Sequence, residues 1–452
     1  MAQTKTVYIC QDCGAQSPKW MGKCPSCGGW NTFVEEIVEK KKPGAAAVNA
    51  AIGSQPLTLE QVTTEKMERI KVGITEFDRV LGGGIVPGSI VLLGGEPGIG
   101  KSTLVLQMAL GMTHKKILYV SGEESLQQIK LRAGRLGMYG SNCLFLSETS
   151  LGNVLAQSGQ VKPELLIIDS IQTLASENLE SSPGSVTQVR ECTSAILKYA
   201  KQNHVAVILI GHINKEGSLA GPKVLEHIVD SVLQFEGDTN YLYRILRASK
   251  NRFGSTNELG IFEMRGDGLR EILNPSEQLI SKISDDVSGT AVAATIEGIR
   301  PFLIEIQALV SSAAYGTPQR SSTGFDLRRL NMLLAVLEKR AGFKLLAKDV
   351  FLNIAGGLRI NDPATDLAVI CSILSSNIDI AIDHQLCFTG EVGLTGEIRG
   401  VSRIEQRIAE AAKLGFQRIF IPALNKGFDG SKFSIEIERV SRVEEVFRKI
   451  FG

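Results

Sequence analysis

Short runs that are apolar at every position recur through the centre of the chain, at residues 90–93, 117–120, 144–146, 165–168 and 205–210. Unbroken apolarity over so few residues predicts strands covered on both faces, as in a parallel sheet with helices on either side. Residues 104–108 suit the first turns of a partly buried helix, and residues 241–248 alternate in the manner of a strand. From residue 58 the chain thus reads as alternating strands and helices, an α/β architecture. A polar stretch at 276–288 is followed by a second series of strands and helices, again α/β. Residues 35–57, with Lys40-Lys41-Lys42-Pro43-Gly44 and an Ala-rich continuation, show neither period and read as a linker. The predicted organisation is an N-terminal module at 1–34, a linker at 35–57, a first α/β domain at 58–273 and a second at 274–452.

Length agrees with this division, because single cores rarely grow past about 250–300 residues and the chain has 452. The apolar runs are far shorter than the roughly 20 residues of a membrane span, which predicts no transmembrane helix and no membrane partner. Cysteines precede any signal-type apolar segment, so a cytoplasmic location is expected. A net charge of +1 neither demands nor excludes a nucleic-acid partner, which responds to local basic stripes.

Chemistry enters where the run 90–93 ends. Gly95-Glu96-Pro97-Gly98-Ile99-Gly100-Lys101-Ser102, followed by Thr103, completes the pattern GxxxxGK[ST] between a predicted strand and a predicted helix. The glycines let the backbone wrap phosphates, the amides and helix N-terminus offer positive potential, Lys101 adds a cation and the Ser102 hydroxyl can ligate Mg²⁺. Asp169, at the end of the run 165–168, is the carboxylate expected to hold the Mg²⁺ shell with Ser102. After the run 117–120, Glu123 or Glu124 can orient or deprotonate a water. Glu123 is preferred, with Glu124 as a helix-start charge. His212, after the run 205–210, can sense a γ-phosphate, or it is a structural loop histidine. Lys250 and Arg252, in Lys250-Asn251-Arg252-Phe253-Gly254, can complete a neighbour's ATP site, meet DNA phosphates or form a solvated basic turn.

Four of the eight cysteines form two knuckles, Cys10-x2-Cys13 and Cys24-x2-Cys27, the spacing of a four-thiolate structural Zn²⁺ site. The other four, Cys143, Cys192, Cys371 and Cys387, are scattered and read as buried thiols. Both tryptophans, Trp20 and Trp30, lie in this module. They either pack over the metal or offer a stacking surface.

The order of four-cysteine module, linker, phosphate loop, Leu165-Leu166-Ile167-Ile168-Asp169-Ser170 and Lys250-Asn251-Arg252-Phe253-Gly254 resembles the bacterial RadA (Sms) family of DNA repair proteins over essentially the whole chain. The resemblance implies a central domain like RecA and the replicative helicase DnaB, hence a homo-oligomeric, hexamer-like ring and a DNA-stimulated ATPase using Mg-ATP. It also implies single-stranded or branched DNA as partner, with recombinase RecA or a replicative helicase as protein partners. Under it Glu123 matches the catalytic glutamate, His212 the γ-phosphate sensor, and Lys250 and Arg252 the cations that act on an adjacent subunit or on DNA.

The C-terminal part, through residues 298–309 and 351–357, resembles the proteolytic domain of the Lon family. Ala364 takes the position of its nucleophilic serine, and an alanine cannot form an acyl-enzyme. The segment 396–408, where the lysine partner belongs, offers Arg399, Arg403 and Arg407 but no lysine. Thr365 is the adjacent hydroxyl. Arg320, Arg328, Arg329, Arg340, Lys344, Lys348 and Arg359 either line a channel that tracks phosphates or form an ordinary solvated surface. The expected function is therefore a DNA-dependent ATPase motor in recombinational repair. A nucleotide-switched adaptor and an ATP-dependent protease stand as the rival readings.

Overall fold

The computed structural model describes residues 4–10, 15–26, 28–39, 68–138, 142–212, 224–237, 243–280, 287–313 and 318–452. Two compact units emerge. The first comprises Met1–Glu236, Arg244–Thr256 and Phe262–Glu271, and the second Gly237–Tyr243, Asn257–Ile261 and Ile272–Gly452. The second unit therefore takes two segments from inside the range 58–273 that sequence patterning assigns to the first α/β domain.

At the start of the chain, Thr4–Cys10 pairs antiparallel with both Gln16–Ser17 and Phe33–Glu39. The last of these strands corrects the expected linker start: residues 35–39 are paired in register, Thr4 opposite Glu39 and Tyr8 opposite Glu35. Two adjacent glutamates hide the alternation of this strand, and its partner lies at the very N-terminus, so no local period reveals it. Cys10, Cys24 and Phe33 form the small buried core of the module.

Among the described residues the larger sheet has nine strands, in the order Gly268–Glu271, Leu259–Arg265, Tyr243–Asn251, Ser231–Glu236, Ile90–Gly95, Ala206–His212, Leu165–Asp169, Ile117–Ser121 and Cys143–Ser147. From Ser231–Glu236 to Cys143–Ser147 every neighbouring pair is parallel. Ile90–Gly95, Ile117–Ser121 and Leu165–Asp169 are buried at every residue, which is why they read as unbroken apolar runs. Val91, Leu93 and Ile117 pack with Leu104, Val105 and Met108 of the helix Lys101–Gly111. Ile90, Leu92 and Leu118 pack on the other face with Val189, Cys192 and Ile196 of the helix Val186–Asn203. Each such aliphatic side chain contributes about 1.5–3 kcal/mol on burial, so the strands that carry the site's loops are firmly held. Serine caps fix where the neighbouring helices begin. Ser125 and Gln128 form a reciprocal capping box at the start of Leu126–Arg135, and Ser185 accepts from the Gln188 amide at the start of Val186–Asn203.

Among the described residues the second unit is built on a seven-stranded sheet ordered Arg320–Thr323, Lys348–Ile354, Arg300–Ser312, Thr290–Glu297, Leu386–Phe388, Arg418–Pro422 and Glu436–Val440. The helix Asp366–Ile378 is buried from Asp366 through Ser375. The helix Ile404–Lys413 packs Ile404, Ile408 and Ala411 against Val292, Ala294 and Leu303. Among the described residues no helix is long and apolar enough to cross a membrane.

Candidate functional site

The strand Ile90–Gly95 runs into the phosphate loop, and Gly100 caps the helix Lys101–Gly111 with φ 110°. An L side chain rarely adopts that backbone. Gly95 is required for a different reason: a Cβ there would lie 2.6 Å from the Phe235 carbonyl oxygen. Glu96, Pro97 and Gly98 are exposed, Ile99 is buried, and Ser102 and Thr103 are half-buried at the first turn of the helix. Lys101 is not the surface cation its loop position suggests. It is 4% exposed, and its Nζ donates to Gly95 O at 2.7 Å and Glu96 O at 2.8 Å. Burial lowers its pKa to about 8, against the opposing pull of the Asp169, Glu123 and Glu96 carboxylates.

Register brings the predicted groups to one edge. Gly95 is level with His212, and Ser121 with Asp169, all at the carboxyl ends of parallel strands where open α/β sheets bind ligands. Asp169 is 4% exposed. Its Oδ2 accepts from the Tyr119 hydroxyl at 2.6 Å, and its Oδ1 is buried with no hydrogen-bond partner among the described residues. An orphaned buried carboxylate oxygen is costly, and this one fits a cation ligated through Asp169 and the Ser102 hydroxyl.

Glu123 Oε1 accepts from the Ser170 hydroxyl at 2.5 Å and lies 3.0 Å from His212 Nε2. The His212 hydrogen bond, then that of Ser170, holds the Glu123 pKa down to about 2 although partial burial opposes it. His212 Nδ1 is buried without a partner among the described residues. Glu124 faces elsewhere: its carboxylate lies 2.6 Å from Arg132 of the helix Leu126–Arg135, and its amide donates to Ser121 Oγ. Of the two adjacent glutamates, only Glu123 shares the edge with His212 and Lys101.

Lys250 and Arg252 lie at the other end of the sheet. Leu246 pairs with Phe235, which is level with Gly95, whereas Lys250 pairs with Val232. At about 3.4 Å per residue, Arg252 is roughly 20 Å along the strand from the phosphate-loop edge. Lys250 Nζ donates to Glu226 O at 2.6 Å and Val229 O at 2.8 Å, closing the C-terminal end of the helix Val224–Ile228. Asn251 Oδ1 accepts from the Ser231 hydroxyl and the Phe253 amide. Arg69 Nη2 holds the Phe253 carbonyl at 2.6 Å, and its Nη1 donates to Leu81 O and Gly84 O. The Arg252 side chain is 50% exposed and lies 3.5 Å from the buried Asp230. Lys250 and Asn251 thus build the turn, and Arg252 is its outward cation.

In the N-terminal module Cys10 and Cys24 are buried, while Cys13 and Cys27 lie outside the described residues. The two knuckles share one backbone pattern, with the Cys10 amide donating to Ala15 O and the Cys24 amide to Gly29 O. Gly28 follows with φ 76°. Twin turns that each bury a thiol fit a tetrahedral Zn²⁺ site. Trp20 and Trp30 are 54% and 70% exposed, so the bulk of neither indole fills the small core. Trp20 Nε1 donates to Phe33 O, and the Lys23 ammonium sits 5.4 Å from the Trp30 ring centroid.

In the second unit Ala364 is 1% exposed, and the neighbouring Thr365 hydroxyl donates to Asp362 O at 2.8 Å. Arg407, 2% exposed, donates to Asp362 Oδ2 at 2.6 Å and Ala294 O at 2.8 Å. Arg399 pairs with Glu397, and Arg403 donates to Gly298 O. The group of cations expected around 320–359 divides: Arg329 makes a two-bond pair with the buried Asp366 and Arg320 donates to Asn331, while Arg328, Arg340, Lys344 and Arg359 are exposed.

Tyr119, Ser170, Asp230 and Arg69 carry no signature of their own in the sequence. Ser170 stands beside Asp169 in a quoted motif, yet only folding shows that its hydroxyl meets Glu123. Arg69 binds a carbonyl 184 positions away, a contact no local pattern encodes.

Three family models match: a rubredoxin metal-binding domain at residues 8–35, an AAA domain at 55–218 and subunit ChlI of Mg-chelatase at 325–425. The DNA repair protein RadA of Bacillus subtilis (strain 168) is 50% identical over 457 residues, covering 100% of both chains. That of Listeria monocytogenes serovar 1/2a is 49% identical, covering 99% of this chain and 98% of its own. Among solved structures, the KaiC-like protein PH0186 of Pyrococcus horikoshii OT3 aligns with 22% identity and a TM-score of 0.39, over 46% of this chain and 99% of its own. The RadB recombinase aligns with 21% identity and a TM-score of 0.35, over 45% of this chain and 99% of its own. With a zinc ribbon, a RecA-like ATPase core and a Lon-like C-terminal domain in this order, and half its residues shared with full-length relatives, the chain belongs to the RadA family of DNA repair proteins.

Proposed function

We propose that this DNA repair ATPase couples hydrolysis of Mg-ATP to movement along single-stranded or branched DNA, driving recombination intermediates as a homo-oligomeric, hexamer-like ring. The observation that carries the reading is the meeting of Lys101, Asp169, Glu123 and His212 at one sheet edge, with Arg252 roughly 20 Å away at the other end. In this reading Gly95, Glu96, Pro97, Gly98, Ile99, Gly100 and Thr103 wrap the phosphates through backbone amides, and Lys101 exchanges its carbonyl partners for phosphate oxygens. Ser102 and Asp169 would hold Mg²⁺, which would supply neutralisation of negative charge on the triphosphate. Glu123 orients the attacking water and accepts its proton, and His212 reports on the γ-phosphate.

Arg252 is too far from its own phosphate loop to act there, which supports a role on a neighbour's triphosphate or on DNA. Lys250 contributes by holding the turn that carries Arg252. Cys10, Cys13, Cys24 and Cys27 bind a structural Zn²⁺, and the exposed cations Arg328, Arg340, Lys344 and Arg359 contact DNA phosphates. Proteolysis is disfavoured by the chemistry of the second unit. Ala364 has no hydroxyl, the Thr365 hydroxyl is bonded within its own turn, and the Arg407 guanidinium is held in an ion pair with Asp362.

The test is a labelled four-way junction with the full-length protein and ATP. ATP-dependent conversion to duplex products that Glu123→Gln abolishes is expected. Binding of the junction with ATP turnover but no conversion would replace the motor by a nucleotide-switched adaptor.

A further inference from the structure

A glutamate that must aim one oxygen at a water has three side-chain torsions to fix, and an exposed one fixes them poorly. Glu123 is in that position, with a side chain 41% exposed at the mouth of the sheet edge. Two donors restrain it, and both act on the same atom: the Ser170 hydroxyl and His212 Nε2 each bond Oε1. Among the described residues Oε2 receives neither bond. Ser170 is fully buried and directly follows the all-buried strand Leu165–Asp169, so it is the rigid donor of the two. The turn after it is braced as well. Thr173 Oγ1 donates to Ser170 O at 2.8 Å, and a Cβ on Gly122 would overlap the Thr173 side chain, so the backbone just before Glu123 rests on this turn.

We propose that Ser170 is a positioning residue for ATP hydrolysis, anchoring Glu123 through Oε1 so that Oε2 is the oxygen presented to the attacking water. The inference rests on Glu123 being the base. The single hydroxyl proton of Ser170 is engaged with Glu123, so Ser170 acts through the glutamate and not on the nucleotide. Because Asp169 precedes it, one strand end sets both the cation-binding carboxylate and the aim of the base. His212 has a different place: it ends its own strand, Ala206–His212, and loss of its bond leaves the buried anchor intact.

The experiment compares wild type, Ser170→Ala, Ser170→Cys, Glu123→Gln and Glu123→Gln/Ser170→Ala, all full length with saturating single-stranded DNA. It reads kcat, KM and the affinity for a non-hydrolysable ATP analogue, and thermal melting identifies any variant that fails to fold. A misaimed base costs up to about 100-fold, so Ser170→Ala is expected to lose about 10- to 100-fold in kcat. KM and analogue affinity should stay within about 3-fold, because the phosphate contacts are untouched. Ser170→Cys, nearly isosteric with a weak donor, should fall between and serves if the alanine variant does not fold. In the Glu123→Gln background the serine substitution should add little, since the group it aims is already disabled. Wild-type kcat in Ser170→Ala beside a crippled Glu123→Gln would overturn the positioning role alone. So would a serine effect that multiplies fully onto Glu123→Gln. Wild-type turnover in Glu123→Gln would instead remove the base assignment on which the inference stands.

Discussion

Lys101 carries the clearest consequence at the scale of single residues. Its ammonium is desolvated and held by two carbonyls, and its pKa of about 8 means that it begins to lose its charge just above neutrality. Triphosphate binding requires the charged form, so binding above that pH takes up a proton and weakens as pH rises. ATP-analogue affinity should be flat from about pH 6.5 to 7.5 and fall by up to about 10-fold by pH 9. Lys101→Arg, whose charge persists, should flatten the fall, which titrations at several pH values would check. Lys101→Ala should abolish nearly all turnover while melting within a few degrees of wild type. The two adjacent glutamates separate in the same way. Glu123→Gln keeps shape and loses basicity, so it should bind ATP and hydrolyse it at least about 100-fold more slowly. Glu124→Gln only weakens a pair with Arg132 and should stay within about 3-fold of wild type. The reverse ranking would reassign the base.

At the scale of elements, the turn after the strand Tyr243–Asn251 predicts different behaviour for its two cations. Lys250 closes the end of a helix with two short bonds to carbonyls, so Lys250→Ala should cost about 1 kcal/mol and lower the melting temperature by roughly 2–4 °C. Arg252→Ala removes an outward side chain and should leave melting unchanged while abolishing DNA-stimulated turnover. Equal melting losses in both variants would make the turn a purely structural feature. The strands that surround the site were legible because burial on both faces forces unbroken apolar runs, and the phosphate loop because its geometry restricts residue types. The extent of the strand Phe33–Glu39 was not, since its adjacent glutamates mask the alternation. Neither was the burial of Lys101, because a side chain that turns back onto its own loop leaves no mark in a motif. The anchoring of Lys250 depends on carbonyls more than 20 positions away, which spacing within the motif cannot reveal.

At the scale of the whole molecule, the proposed action of Arg252 on a neighbour's triphosphate would make assembly part of the chemistry. Lys101→Ala and Arg252→Ala chains, each inactive alone, should recover part of the DNA-stimulated turnover when mixed, because some interfaces then join an intact loop to an intact arginine. Absence of recovery in proven mixed rings would move Arg252 to DNA contact. The zinc module should carry one Zn²⁺ per chain through Cys10, Cys13, Cys24 and Cys27, measurable by metal analysis of reduced protein. Replacing any of the four should release it while ATP binding survives better than coupling to DNA.

Whether nucleotide chemistry at this sheet edge is tied to DNA is read from the steady-state ATPase rate of the full-length protein with and without single-stranded DNA. A several-fold or greater stimulation is expected in wild type, abolished by Glu123→Gln and by Arg252→Ala. An ATPase rate that single-stranded DNA leaves unchanged, in protein shown to bind that DNA, would contradict it.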